Sequence, residues 1–182
     1  MALKPTIYKA QVALADNDRQ VYADIAVTLA LHPSETPERM TARLLAWCLN
    51  YADGLQFTRG LSSSDEPDLW RHTDSGEIAT WIEVGQPEEP RLRKACGRAA
   101  DIRVYAFGAS ADTWWQRNGE AIAGLPRAQV WQFAWPDIEQ LAQSVIARTM
   151  QLSVNIVGGV VYVDDGSSTH SIEPRRLHSS EA

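Results

Sequence analysis

Cysteine is scarce: Cys48 and Cys96 are the only two in 182 residues. Neither has the Cys-X-X-Cys or Cys/His spacing of a zinc site or redox pair. A disulfide scaffold is thereby excluded, both thiols read as small buried hydrophobes, and a reducing compartment fits. No apolar run approaches the roughly 20 residues of a membrane helix. Met1 to Pro5 show no signal-peptide core, so a cytoplasmic chain with no membrane partner is expected. Net positive charge is absent as well. Seventeen Lys and Arg against 23 Asp and Glu leave −6, which argues against a general nucleic-acid coat but permits a small basic cleft on an acidic body. There is no Gly-rich phosphate loop and no Gly-X-Ser-X-Gly elbow, and the four histidines lack metal-ligand spacing.

What is present is an ordinary globular composition, 45% hydrophobic and 22% charged. At this length one domain with a real core is expected. Thr6 to Ala15 and Gln20 to Leu31 read as two strands of a hairpin around Asp16-Asn17-Asp18. Thr36 is a good helix N-cap and Pro37 suits the first helical position, so a helix is predicted to run to about Tyr51. Asp101 to Phe107 and Gln129 to Ala134 read as further strands. Ala111 to Ala123 reads as a helix weakened at Asn118-Gly119. Asp137 to Thr149 reads as a helix with Ile138, Leu141, Ala142, Val145 and Ile146 on one face. Gly158-Gly159 between Gln151–Val157 and Val160–Val163 predicts a second hairpin. Residues 1–165 are expected to form the domain and 166–182 a loose tail. Six of the seven Trp fall on apolar positions; Trp70, beside Asp68, is placed to line a cleft.

The chain is organised around Glu66 to Arg98. Glu77 to Val84 is rich in strand-forming residues. Ile78, Thr80, Ile82 and Val84 share one face, and Ala79, Trp81 and Glu83 the other, which puts Glu83 toward solvent or in a pocket walled by Trp81. Gly85 and Pro87 end the strand. Glu88 and Glu89 suit the first turn of a helix extending to Ala100, with Leu92, Ala95, Cys96 and Ala99 inward and Arg91, Lys94 and Arg98 in a stripe beside them. The order strand, helix, strand predicts a right-handed crossover joining parallel neighbours. Asp68 comes just before the turn at Asp74-Ser75-Gly76, and Glu83 sits near the end of the apolar run. Two such carboxylates suit a hard divalent cation, which prefers oxygen ligands and takes few protein carboxylates. The basic stripe reads either as a solvated helix face or as the wall of a basic cleft supplemented by Arg71, Arg93 and Arg103.

Four tracts carry a resemblance: His32-Pro33-Ser34-Glu35-Thr36-Pro37-Glu38-Arg39-Met40, Asp65-Glu66-Pro67-Asp68-Leu69-Trp70, Trp81-Ile82-Glu83-Val84-Gly85-Gln86-Pro87 and Arg93-Lys94-Ala95-Cys96-Gly97-Arg98-Ala99. In this order they resemble the YaeQ family, a variant branch of the PD-(D/E)XK nuclease-like superfamily, over residues 1 to about 165. The resemblance implies an α/β fold: one domain with a central mixed sheet flanked by helices, a restriction-endonuclease-like core, and N- and C-terminal β-hairpins extending or covering the sheet. It implies a magnesium or manganese site at Asp68, Glu83 and the backbone carbonyl of Val84. It also implies a contribution from Glu38 in the first helix, which otherwise reads as plain dipole complementation. The motif lysine two residues after Glu83 is missing, because Gly85 stands there. Lys94 is the candidate replacement, Gln86 a weaker polar one, and Gln86, Arg91 and Arg98 are the candidate substrate contacts.

Two functions follow from this pattern. One is metal-dependent phosphodiester hydrolysis on nucleic acid, with Asp68 and Glu83 on the metal, Lys94 toward the attacking water and Glu38 holding a metal-bound water or a second ion. The other is a nuclease fold without the chemistry, binding nucleic acid or a protein partner. The first expects the Asp68 and Glu83 carboxylates close enough to share a cation, one of them with a raised pKa, and the Lys94 ammonium aimed at the same space.

Overall fold

Alternating polar and apolar residues make Thr6–Asp16 (β1) and Val21–Leu31 (β2) an antiparallel hairpin, with Val12 and Leu29 fully buried and their neighbours outward. The structure, a computed structural model, describes residues 3–59 and 63–180. Among them the α/β domain carries two mixed sheets and four helices. The expected α/β domain with a mixed sheet flanked by helices is borne out, and the hairpins build a second mixed sheet of their own. The chain divides into two compact units, residues 1–49 with 134–174, and residues 50–133 with 175–182.

The first unit holds β1 and β2, helix α1 (Pro37–Asn50, its last residue counted with the second unit), helix α4 (Trp135–Ser144) and strands β8 (Thr149–Val157), β9 (Val160–Asp164) and β10 (Thr169–Ile172). Its sheet order is β10-β9-β8-β1-β2, with β8 parallel to β1 and the other pairs antiparallel. Thr36 caps α1 as expected: its Oγ1 accepts the Arg39 N–H at 3.2 Å. The β8–β9 turn places Gly158 and Gly159 at φ +60° and +78°, the two positive values of a tight hairpin, and the Asp18 carboxylate accepts both their N–H groups at 2.8 Å. Helix α4 stops at Ser144, five residues short of expectation. Val145 is buried, but Ile146 is 61% exposed instead of facing inward.

The second unit holds β3 (Gln56–Phe57), β4 (Leu69–His72), β5 (Ile78–Val84), helix α2 (Glu89–Cys96), β6 (Ala99–Ala106), helix α3 (Ala111–Ala123), β7 (Ala128–Gln132) and β11 (Arg175–Ser179), in sheet order β11-β7-β6-β5-β4-β3. β5, β6 and β7 are parallel, and α2 crosses from β5 to β6 as predicted. Helix α2 is shorter than expected because Gly97 caps it and Ala99 already starts β6. Trp81, Leu92, Ile102, Val104 and Val130 form the centre of this unit's core. Trp81 and Ile82, on opposite faces of β5, are 2% and 0% exposed, so β5 is a central strand covered on both sides rather than one with a solvent face. The expected loose tail is also corrected. Thr169–Ile172 pairs with β9, Arg175–Ser179 pairs with β7, and Ile172 is fully buried.

Candidate functional site

Asp68 and Glu83 meet because β4 and β5 are antiparallel neighbours in a fixed register. Leu69 pairs with Ile82, Asp68 immediately precedes Leu69, and Glu83 immediately follows Ile82. The Asp68 N–H donates to the Ile82 carbonyl at 3.0 Å. Asp68 and Glu83 are 4% and 5% exposed, the second and third members of a short set of buried acids with Asp16. Asp68 Oδ2 accepts the Val84 N–H at 2.7 Å, which ties one carboxylate to the backbone beside the other. Glu83 Oε1 accepts from the Trp81 indole Nε1–H at 2.8 Å and from Arg91 Nε, also at 2.8 Å. Burial raises the Glu83 pKa, and the nearby Asp68 charge raises it further. Arg91 and the two hydrogen bonds oppose these effects, and the result is a carboxyl pushed up to about 7.

Gly85 explains the missing motif lysine. Its φ is +125°, outside the range a side chain tolerates, and its N–H reaches over to the Tyr105 carbonyl at 2.9 Å as β5 ends. A lysine here would meet open space, but on a strained backbone. Gln86 follows and is spent on structure. Its Nε2 donates to the Phe107 carbonyl at 3.0 Å, and its Oε1 accepts the Ser110 hydroxyl at 3.1 Å, which links the turns after β5 and β6.

The basic stripe is where the structure departs most from expectation. Arg91, one turn into α2, is the residue that reaches Glu83. Its Nη1 and Nη2 also donate to the carbonyls of Ser64 and Glu66, at 2.8 and 2.7 Å. Lys94 points elsewhere: its Nζ donates to Asp65 Oδ1 at 2.7 Å, with both side chains exposed. Arg98, just past the helix, donates through Nη1 to the Asp65 carbonyl at 2.8 Å and lies 5.1 Å from the Trp81 ring centroid, a cation–π distance. The expectation that Lys94 aims at the carboxylates is therefore corrected. Asp65 lies across its path, and Arg91, one turn closer to the strand end, occupies the carboxylate instead. Arg93 pairs with Glu89, and Arg103 with Asp101, so neither adds to a cleft. Trp70, half-buried, stacks edge-on against Trp81 with ring centroids 6.5 Å apart.

Glu38 sits half-buried in the first turn of α1, in the other compact unit. Among the described residues no group of three or more His, Cys, Asp and Glu converges as a metal cluster. Within its own unit the centre is a pair of carboxylates, Asp68 and Glu83. The two remaining features, the Trp81 indole donor and the loop carbonyls on Arg91, were not foreseen. The alternation that places Trp81 and Glu83 on one face was the available signal for the first. The second joins residues up to 27 apart, for which a single sequence carries no signal.

A divalent cation suits this donor set. Two buried carboxylates stand close enough for one to raise the other's pKa, and a guanidinium already acts as a cation on the more perturbed of them. No helix among the described residues is long and apolar enough to cross a membrane. Cys48 and Cys96 are buried free thiols.

The fold has close solved counterparts. The YaeQ protein of Xanthomonas axonopodis pv. citri superposes with a TM-score of 0.92 at 38% identity, over 96% of this chain and 99% of that one. The YaeQ protein of Pseudomonas syringae gives 0.92 at 36% identity, over 97% of each. In sequence, the chain is 48% identical to the "Uncharacterized protein YaeQ" of Escherichia coli strain K12 over 91% of both proteins. It is 45% identical to that of Salmonella typhi over 95% of this chain and 96% of the other. The model of the family described as YaeQ protein matches residues 1–174, and the chain belongs to the YaeQ family.

Proposed function

We propose that this protein is a metal-dependent phosphodiesterase of the nuclease type, with a variant PD-(D/E)XK centre at Asp68 and Glu83. The observation that carries the reading is the buried carboxylate pair, whose mutual repulsion helps push Glu83 up to about 7. Burying two like charges side by side costs stability, and a hard cation relieves that cost. Magnesium or manganese, held by Asp68, Glu83 and the Val84 carbonyl, would supply Lewis-acid polarisation of a phosphoryl oxygen and a more acidic bound water. The chain's own groups do the rest. The Val84 N–H orients Asp68, the Trp81 indole orients Glu83, and Arg91 balances the carboxylate charge and presents a guanidinium suited to phosphate oxygens. Lys94 and Arg98 extend the same basic edge toward a nucleic-acid backbone.

A second reading, a nuclease fold that binds nucleic acid or a protein partner without hydrolysing it, is favoured by one specific observation: Lys94 is committed to Asp65 rather than to the carboxylates. Calorimetric titration with magnesium and manganese, with Asp68→Asn alongside, tests the metal site. Binding at millimolar concentration that the variant loses is the expected result. Hydrolysis of a labelled oligonucleotide then separates the two readings, since metal binding without turnover selects the second.

A further inference from the structure

The basic edge of α2 is already filled by the chain itself. Arg91 Nη1 and Nη2 take the carbonyls of Ser64 and Glu66, Lys94 takes the Asp65 carboxylate, and Arg98 takes the Asp65 carbonyl, all at 2.7–2.8 Å. Three consecutive residues of one loop thus offer four oxygens to three cations spaced along a helix and its C-terminal cap. Oxygens in such a row are what a run of phosphates presents to Arg and Lys. Two of the contacts are charge-assisted bonds to carbonyls at a half-exposed guanidinium, and the Lys94–Asp65 pair stands in solvent, where screening keeps it weak. The Asp65 carboxyl is held below its usual range chiefly by its hydrogen bond to Lys94, so it stays ionised and competes as an anion.

We infer that the Ser64–Glu66 segment is an internal mimic of a phosphate backbone, a strap that occupies the polyanion site on Arg91, Lys94 and Arg98 and that a nucleic-acid strand must displace. The inference rests on the reading of this edge as a nucleic-acid contact and adds its regulation. Displacement would free Arg91 from the loop carbonyls while leaving it beside Glu83, so strand binding and the rearrangement at the carboxylate pair are one event.

The test is fluorescence anisotropy of a labelled single-stranded oligonucleotide with the full chain, comparing wild type, Asp65→Asn and Glu88→Gln. Glu88, an exposed acid at the N-cap of α2, makes none of the strap bonds and serves as the equal-charge control. Asp65→Asn is expected to bind about threefold tighter, the value of one exposed, screened competitor lost, and Glu88→Gln less than about 1.5-fold tighter. The salt dependence of Asp65→Asn should steepen by about one phosphate contact. Equal gains from both variants would reduce the effect to net charge and overturn the strap while leaving the nucleic-acid reading intact. So would no gain from Asp65→Asn. No binding by any of the three proteins at low salt would overturn that reading and the strap with it. Matching melting temperatures confirm that the exposed substitutions leave the fold intact.

Discussion

Glu83 is a buried acid whose folded-state pKa lies above its unfolded value, and this sets the sign of its pH effect. Between about 4.5 and 7 the folded protein holds a proton that the unfolded chain has released, so stability falls as pH rises through that window. The shift corresponds to roughly 3 kcal/mol. The comparison that isolates it is wild type against Glu83→Gln. The wild type should lose stability relative to the variant as pH is raised from 4.5 to 7, measured by urea denaturation at each pH, and the relative slope should vanish in saturating magnesium, where Glu83 stays ionised. A difference that does not change with pH would mean that Glu83 is not the perturbed group. Arg91 opposes the shift, so Arg91→Met should push the Glu83 pKa higher still and cost stability above pH 7. Lys94→Gln, whose ammonium stands in solvent on Asp65, should change thermal stability by less than about 0.5 kcal/mol.

β5 and α2 together deliver the candidate site, and their packing sets how rigidly they do so. Ile82 and Leu92 are fully exclusive of water, each on the inward stripe of its element. Truncating either to Ala should cost about 2–4 kcal/mol. Leu141→Ala on α4 should cost a similar amount, whereas Ile146→Ala beyond the helix end should be nearly silent, and denaturant midpoints check both. Gly85 is the joint between strand and helix. Placing the motif lysine there by Gly85→Lys should lower stability by about 1–3 kcal/mol, because φ +125° is foreign to a side chain, and it should not raise hydrolysis above the wild-type level. Periodicity was enough to find these elements: β5, α2 and β6 were recognisable as a strand, a helix and a parallel strand from apolar spacing and the Gly-X-Pro break. Their ends were less visible. α2 and α4 stop early because strand residues at Ala99 and Thr149 compete for the chain, and that competition is settled by sheet neighbours distant in sequence.

Across the molecule the C-terminal stretch supplies one strand to each sheet, β10 beside β9 and β11 beside β7. Deleting residues 166–182 should therefore unfold or aggregate the protein: it exposes the edges of β9 and β7 and removes the buried Ile172. A truncated chain with an unchanged melting temperature would contradict the assignment of these strands to the fold. The stretch looks like a tail in sequence because it is mostly polar, with Ser its commonest residue, and its strands are only four and five residues long.

Local order along the chain was settled by local chemistry. Asp16-Asn17-Asp18 and Gly158-Gly159 dictate their turns, Thr36-Pro37 starts α1, and the spacing of Leu92, Ala95 and Cys96 chooses the buried face of α2. The carboxylate pair was also legible, since Pro67-Asp68 and Glu83 flank adjacent strands. Which cation serves that pair was not legible. Lys94 and Arg91 are equivalent on a helical wheel, and only the folded loop at Ser64–Glu66, which takes Lys94 and two of the Arg91 donors, decides between them. The division into two sheets was hidden for the same reason. β1 pairs with β8 across some 140 residues, and β11 with β7 across more than 40. Such pairings are chosen by which exposed edges and apolar faces meet after the local elements have formed, a choice that belongs to the packed chain and not to any stretch of it.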